Sequence, residues 1–401
     1  MSQIAEKYRA CAGLSDQPVD LVREPDQGTD IHRSPNPTKA DRDLRVDLLR
    51  GVALLIIFSD HVRGNPVLYF MPISLGFSDM AEWFVFLSGY VNGIRRARPL
   101  IRPVGHLLPL RAGEGTLGRC LKLYGAILLV HVLTVGLLAV ASVCGLRNVA
   151  LTDLTLPRSG IEPGLWQILT LQSMLINSCV LALYLILIWL VAFVHRRPLA
   201  TVAVSVAVYV AVQVWPDTIA LPSPWAGAFF FNPFAWQLPF VLGMACGTAG
   251  LHGKTWIHRN VTALIAAALA LELAFMIKTG LWVPPVEIVS DKVNLAPLRL
   301  LHFYCVLIVG RVLLPRDAGF LKSPILRPVI LCGQNPLVTY CAGGLLATIG
   351  TLLIAKYGSN YGLTITINVA GWMMSLLVAF AASGIYRWRK ARNGRNMSAK
   401  I

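Results

Sequence analysis

Residues 45–92 read RVDLLRGVALLIIFSDHVRGNPVLYFMPISLGFSDMAEWFVFLSGYVN. Two apolar runs flank a short loop, and both carry polar residues where a membrane helix tolerates few. Arg50 and His61 are eleven positions apart. At ~100° and ~1.5 Å per residue, that spacing sets both on one helix face about 16 Å apart. Asp60 and Arg63 flank His61 at the far end of this run. The second run opens with Asp79 and Glu82, three apart and therefore neighbours on one face. Ionisable groups are costly inside a bilayer, so such a cluster marks a functional site by default.

The whole chain supports a membrane reading of this stretch. It is 55% hydrophobic and only 14% charged, with a mean hydropathy of +0.61. Those values are too apolar for a soluble protein of 401 residues and fit a polytopic membrane protein. The net charge of +16 does not point to nucleic acid, because the basic residues fall in blocks between apolar runs. The eight cysteines show no paired or His-linked ligand spacing, so no metal site is readable. Most lie in apolar runs, where a small hydrophobic filler role fits them.

Ten apolar runs follow a polar start: 46–63, 76–94, 121–144, 173–194, 199–215, 232–249, 261–281, 297–314, 329–354 and 364–386. Each is long enough to span, or nearly span, a hydrocarbon core of about 30 Å. With the N-terminus inside, 28 of the 36 lysines and arginines fall in cytoplasmic segments, which places both termini in the cytoplasm. The expected fold is an all-α integral membrane bundle of about ten helices. Residues 1–44 read as a disordered cytoplasmic tail without a signal peptide, 45–386 as the membrane domain, and 387–401 as a basic cytoplasmic tail. No repeat of 20–50 residues and no inverted match between halves is visible, so an inverted-repeat transporter gains little support.

This topology gathers chemistry on the outer face. His61 ends the first run there, and Asp79 and Glu82 begin the second. The eighth run begins there with Arg299 and His302, just after Lys292 and Asn294, and the sixth opens with Asn232, Trp236 and Gln237. A histidine beside a carboxylate is the ordinary make-up of a general base for a hydroxyl, and guanidinium or amide donors stabilise an oxyanion. Each has a plainer reading. His61 alone reads as an interfacial histidine, Arg50 as a positive-inside anchor, and Trp236 equally as a belt aromatic or a sugar-stacking platform. Glu272 and His131 read as mid-span groups satisfied inside the bundle. Gly243 and Gly247 fit close helix packing.

Five segments resemble the OpgC family, the membrane succinyltransferases of osmoregulated periplasmic glucans: RVDLLRGVALLIIFSDHV, GFSDMAEWFVFLSGYV, FNPFAWQLPFVLGMACG, SDKVNLAPLRLLHFY and GQNPLVTYCAGG. That family is related to the acyltransferase 3 group, whose Arg-ten-residues-His spacing Arg50 and His61 match. The resemblance implies a ten-helix fold in the bacterial inner membrane. It implies no bound cofactor, a cytoplasmic acyl-CoA donor (usually succinyl-CoA) and a periplasmic glucan or other extracytoplasmic saccharide as acceptor. His61 would be the catalytic histidine, with Asp60, Asp79 and Glu82 in its shell and Arg50 meeting the anionic donor; Arg63 and Arg299 would be reasonable contacts for a succinyl carboxylate. One departure falls at Asn177–Ser178, where the resemblance leads to an acidic-proline pattern. The alternatives are a transporter or flippase for a polar lipid or saccharide, which would need a polar stripe through several helices, and a non-enzymatic partner of a glucan synthase. Neither explains charges gathered at one end.

Overall fold

The computed structural model describes residues 43–97, 111–145, 165–194, 198–222, 225, 229–249, 261–283, 290–315 and 318–398. Among them the regular elements are helices, with no β-strand. In chain order the main ones are α1 Leu44–His61, α2 Met80–Ala97, α3 Arg111–Val143, α4 Cys179–Val194, α5 Pro198–Val214, α6 Pro233–Ala249, α7 Val261–Lys278, α8 Pro297–Leu313, α9 Arg327–Gln334, α10 Pro336–Tyr357 and α11 Tyr361–Ser398. All but α9 have sixteen residues or more and stand on the ten apolar runs. Thr116–Val143, Val261–Lys278, Pro336–Tyr357 and Tyr361–Trp388 are long and apolar enough to cross a membrane by length and composition. The remaining six long helices have 16 to 18 residues. At ~1.5 Å per residue they rise about 24–27 Å, slightly less than a ~30 Å hydrocarbon core.

Local chemistry sets the helix ends. Asp43 caps α1 by accepting from the Arg45 amide at 3.1 Å, and the helix stops at Val62, whose N–H bonds the Ser59 carbonyl. Gly64 follows at φ 71°, a left-handed turn that suits glycine. Segment 1–44 otherwise lies outside the described residues. The ninth run, read as a single span over 329–354, is two helices. Pro336 has no N–H to continue α9 and restricts the residue before it, so Asn335 turns to φ −119°, ψ 54° and α10 restarts with proline in its first turn. The fourth run begins as a turn and a 3-10 segment, Ile176–Ser178, before α4. Helix α11 continues to Ser398, through most of the basic stretch 387–401.

Packing is closest between α2 and α6. A Cβ on Gly89 or Gly93 would run into the backbone of Phe240 or Met244; one on Gly243 or Gly247 would run into that of Phe86 or Tyr90. Small residues four apart thus interlock from both helices, the close approach that helps associate helices where lipid is as apolar as leucine. A second such contact joins α1 to α9, where Gly51 meets the Val329 carbonyl and Gly333 meets that of Asp47. Around them one core gathers Phe84, Leu183, Trp236, Phe240, Leu295 and Tyr340. Helix α7 is the outlier. Only Ala267 and Ala274 of it are buried, and Glu272, read from sequence as an inside group, is exposed.

Candidate active site

Asp79 and Glu82 meet first as a capping box. Asp79 accepts from the Ala81 amide at 2.8 Å, and Glu82 reaches back to the Asp79 amide at 2.9 Å. Two orphan donors at the start of α2 are thereby satisfied. The remaining oxygens take the cations. Arg299 Nε donates to Glu82 Oε1 at 2.8 Å, while its Nη2 lies 2.6 Å from that oxygen and 3.1 Å from Asp79 Oδ2. Lys292 Nζ sits 2.5 Å from Asp79 Oδ2. Both carboxylates and Arg299 are buried, whereas Lys292 is half-buried with 28% of its side chain exposed. Burial pushes the Asp79 carboxyl up, but Lys292 and Arg299 outweigh it and hold it below the usual carboxylate range. Burial likewise works against the Lys292 charge, and Asp79 and Glu82 overcome it, so its ammonium is held more firmly than usual. With all four groups ionised, the cluster is neutral.

The loop carrying Lys292 is held from two helices. Asn232 donates from its backbone to Val293 and from its side chain to Asn294 Oδ1 at 2.9 Å. Trp236 Nε1 donates to the carbonyls of Lys292 and Val293 at 3.0 and 3.1 Å, and Gln213 and Tyr209 hold those of Asn294 and Leu295. Leu295 is buried at φ 52°, an uncommon conformation for a non-glycine residue that these contacts sustain. Gln237 is committed elsewhere, to Ser205 and the Phe234 carbonyl. Trp236 is fully buried, so neither the belt nor the sugar-stacking reading describes its position; its indole braces the Lys292 loop.

His61 stands apart from the carboxylates. Among the described residues no hydrogen bond joins it to Asp60, Asp79 or Glu82, although Asp79 and Lys292 are close enough to act on it and on Asp60 electrostatically. Its Nδ1 lies 2.5 Å from the Ile57 carbonyl one turn back. A carbonyl only accepts, so Nδ1 carries the proton there and the lone pair of the neutral ring falls on Nε2. The Ile176 backbone adjoins the ring as well. A small cavity opens beside it, lined by His61, Phe58, Asn177, Tyr340, Gly343 and Gly344 among others. The Tyr340 ring meets His61 edge-on at 6.5 Å and stacks on Phe84 at 6.2 Å. Phe84 in turn carries the Arg50 guanidinium at 5.8 Å. Two rings therefore fill the interval between the Arg50 and His61 that the sequence sets on one face.

Other groups sit further out. Arg63 is exposed, its amide bonded to Thr351 at 3.1 Å. His302 takes the Ser78 amide and hydroxyl on Nδ1 at 3.3 and 2.7 Å and packs on Phe77, steadying the approach to α2. His131 is buried, with Nδ1 on the Ile127 carbonyl and Nε2 accepting from the Leu175 amide at 3.2 Å. It thereby braces the turn that carries Asn177. Asn177 and Tyr340 had no sequence signal as site residues; Tyr340 falls in a segment bearing the resemblance, whereas Asn177 stands where the chain departs from it. No three His, Cys, Asp or Glu side chains among the described residues gather as metal ligands.

No curated protein and no solved structure matches the chain. The family described as OpgC protein matches residues 42–387, from the cap of α1 into α11. That span takes in every helix that builds the charged cluster and the His61 cavity, and the chain belongs to the OpgC family.

Proposed function

We propose that this protein is a membrane O-acyltransferase that moves an acyl group, succinyl by family, from cytoplasmic acyl-CoA to hydroxyls of a periplasmic glucan. The observation that carries the reading is His61, whose Nδ1 is fixed on the Ile57 carbonyl and whose side chain lines a small cavity. An imidazole held in one tautomer at the wall of a cavity suits a general base for a hydroxyl. The ion cluster has a different part. Asp79, Glu82, Lys292 and Arg299 satisfy one another, and their role is to fix the outer ends of α2 and α8 and to set the field around His61 and Asp60. The line Arg50–Phe84–Tyr340–His61 favours delivery of the acyl group along that path from an anionic donor at Arg50.

The same reading takes ten spans, both termini in the cytoplasm and a site in the bacterial inner membrane. The donor is substrate, and no resident cofactor is needed. The test is mass spectrometry of periplasmic glucans from cells expressing wild-type protein or His61→Ala. An ester-linked acyl mass present with wild type and absent with the variant is the expected result. Retention of that ester in His61→Ala overturns the assignment of the base.

A further inference from the structure

Two buried polar groups at the His61 cavity are left open by everything described above. Tyr340 is 5% exposed, and its hydroxyl makes no hydrogen bond among the described residues. Asn177 is 7% exposed, and its Oδ1 is likewise unbonded. The Asn177 amide is not ambiguous: its nitrogen lies 2.9 Å from the Gly344 carbonyl, which can only accept, so the open atom is the oxygen. Burying such a group without a partner is costly, since it gives up its hydrogen bonds to water and gains none. Two of them on residues that line one cavity, beside His61, point to a ligand with hydrogen-bonding groups on two sides.

The chemistry divides the roles. Asn177 can only accept, so it can hold a hydroxyl but not an anion. Tyr340 can donate. The Val180 amide at the start of α4 lies beside its oxygen, which leaves the phenolic proton to turn towards the cavity. As it stands the cavity has room for about one water-sized group. Seating the reacting ends of both substrates there requires the wall to give way, and Gly343 and Gly344 leave no side-chain bulk at that part of the lining.

We infer that Tyr340 is a catalytic residue that donates its hydroxyl proton as a hydrogen bond to the acyl carbonyl oxygen, while Asn177 Oδ1 receives a hydroxyl of the saccharide acceptor. This rests on the acyl-transfer reading. In the step, the acceptor O–H gives its proton to His61 Nε2 as its oxygen bonds the acyl carbon. The carbonyl π pair moves on to oxygen, where Tyr340 donates to it. Collapse breaks the C–S bond, and His61 returns the proton to the departing CoA thiolate.

The experiment compares wild type, Tyr340→Phe and His61→Ala, each as the full chain in membrane vesicles supplied with succinyl-CoA and a glucan acceptor. Tyr340→Phe keeps the ring stacked on Phe84 and removes only the oxygen. Its kcat should fall about 100-fold or more, in the range for loss of one oxyanion donor. Its thermal midpoint should fall by little, because the deleted hydroxyl makes no hydrogen bond in the resting protein and has only the Val180 amide beside it. A kcat within threefold of wild type overturns the role of Tyr340, as does a fall in rate matched by a fall in midpoint. Full turnover in His61→Ala overturns the base instead. Wild-type vesicles that transfer no acyl group overturn the function and this inference together.

Discussion

At the residue scale the charged cluster is a case of mutual satisfaction. Each carboxylate serves the α2 cap and a cation at once, so removing one member strands the others. Arg299→Ala leaves two buried carboxylates facing Lys292 alone, and should cost roughly 3–5 kcal/mol, the usual penalty for breaking a buried pair. Thermal unfolding in detergent checks it, and a midpoint equal to wild type would refute the account. The pH dependence follows from the shifts. Asp79 has a folded pKa below its unfolded value of ~3.9, so its contribution is complete above that value and is lost as pH falls through the folded one. Lys292 has a raised pKa, so its contribution is complete below ~10.4 and is lost only as pH rises past that. Asp79→Asn should therefore lower the midpoint at neutral pH, with a difference that shrinks on acidification below about pH 4. A constant difference down to about pH 2 would exclude the ion pairs as its source. The i, i+3 spacing of Asp79 and Glu82 was readable from sequence, since it is local. That they grip Arg299 and Lys292 was not, because those cations arrive from more than 200 positions along the chain. Asn177 and Tyr340 were hidden for the same reason, and because asparagine and tyrosine carry no charge to betray a site.

At the scale of elements, the runs were legible because apolar stretches must be about as long as a bilayer is thick. Their breaks were legible only in part. Pro336 interrupts the ninth run, but a proline in a membrane helix is often accommodated without a break; here Asn335 supplies the turn, with its side chain tied to Leu331 and Ser383. Small-residue packing was visible in Gly243 and Gly247, whereas their counterparts Gly89 and Gly93 acquire meaning only once α2 lies against α6. The closeness of that pair predicts a contrast. Gly243→Ala puts a methyl group into the Phe86 carbonyl, so α2 must shift, and the midpoint should fall. Gly136→Ala on α3 meets nothing within 4 Å and should be neutral, or stabilising by up to about 1 kcal/mol through helix propensity. Equal midpoints for the two variants would show that the helices do not rely on this contact. Displacing α2 should also weaken the site, since α2 carries Glu82 and Phe84 and is capped by Asp79.

At the scale of the molecule, the reading depends on which side of the membrane each helix end faces. Catalysis at the outer end of α1 requires His61, the Lys292 loop and Arg63 on one side, and the α8–α9 connection on the other. The charge bias argues for this arrangement, since positive residues are retained in the cytoplasm during insertion. Three reporters test it: Ser290→Cys beside the Lys292 loop, Arg63→Cys after α1, and Lys322→Cys between α8 and α9. Arg63 and Lys322 are exposed and Ser290 is half-buried, so each offers some surface to a reagent. Native cysteines are replaced first, because Cys144 and Cys246 are exposed and would react themselves. With an impermeant thiol reagent added outside, positions 63 and 290 should label in intact cells, and position 322 only after the inner face is opened. Labelling of 322 together with 290 from outside would put both ends of α8 on one side. The chain would then not cross there, and the ten-span arrangement that sets the Lys292 loop on the side of His61, with the α8–α9 connection on the other, would fail.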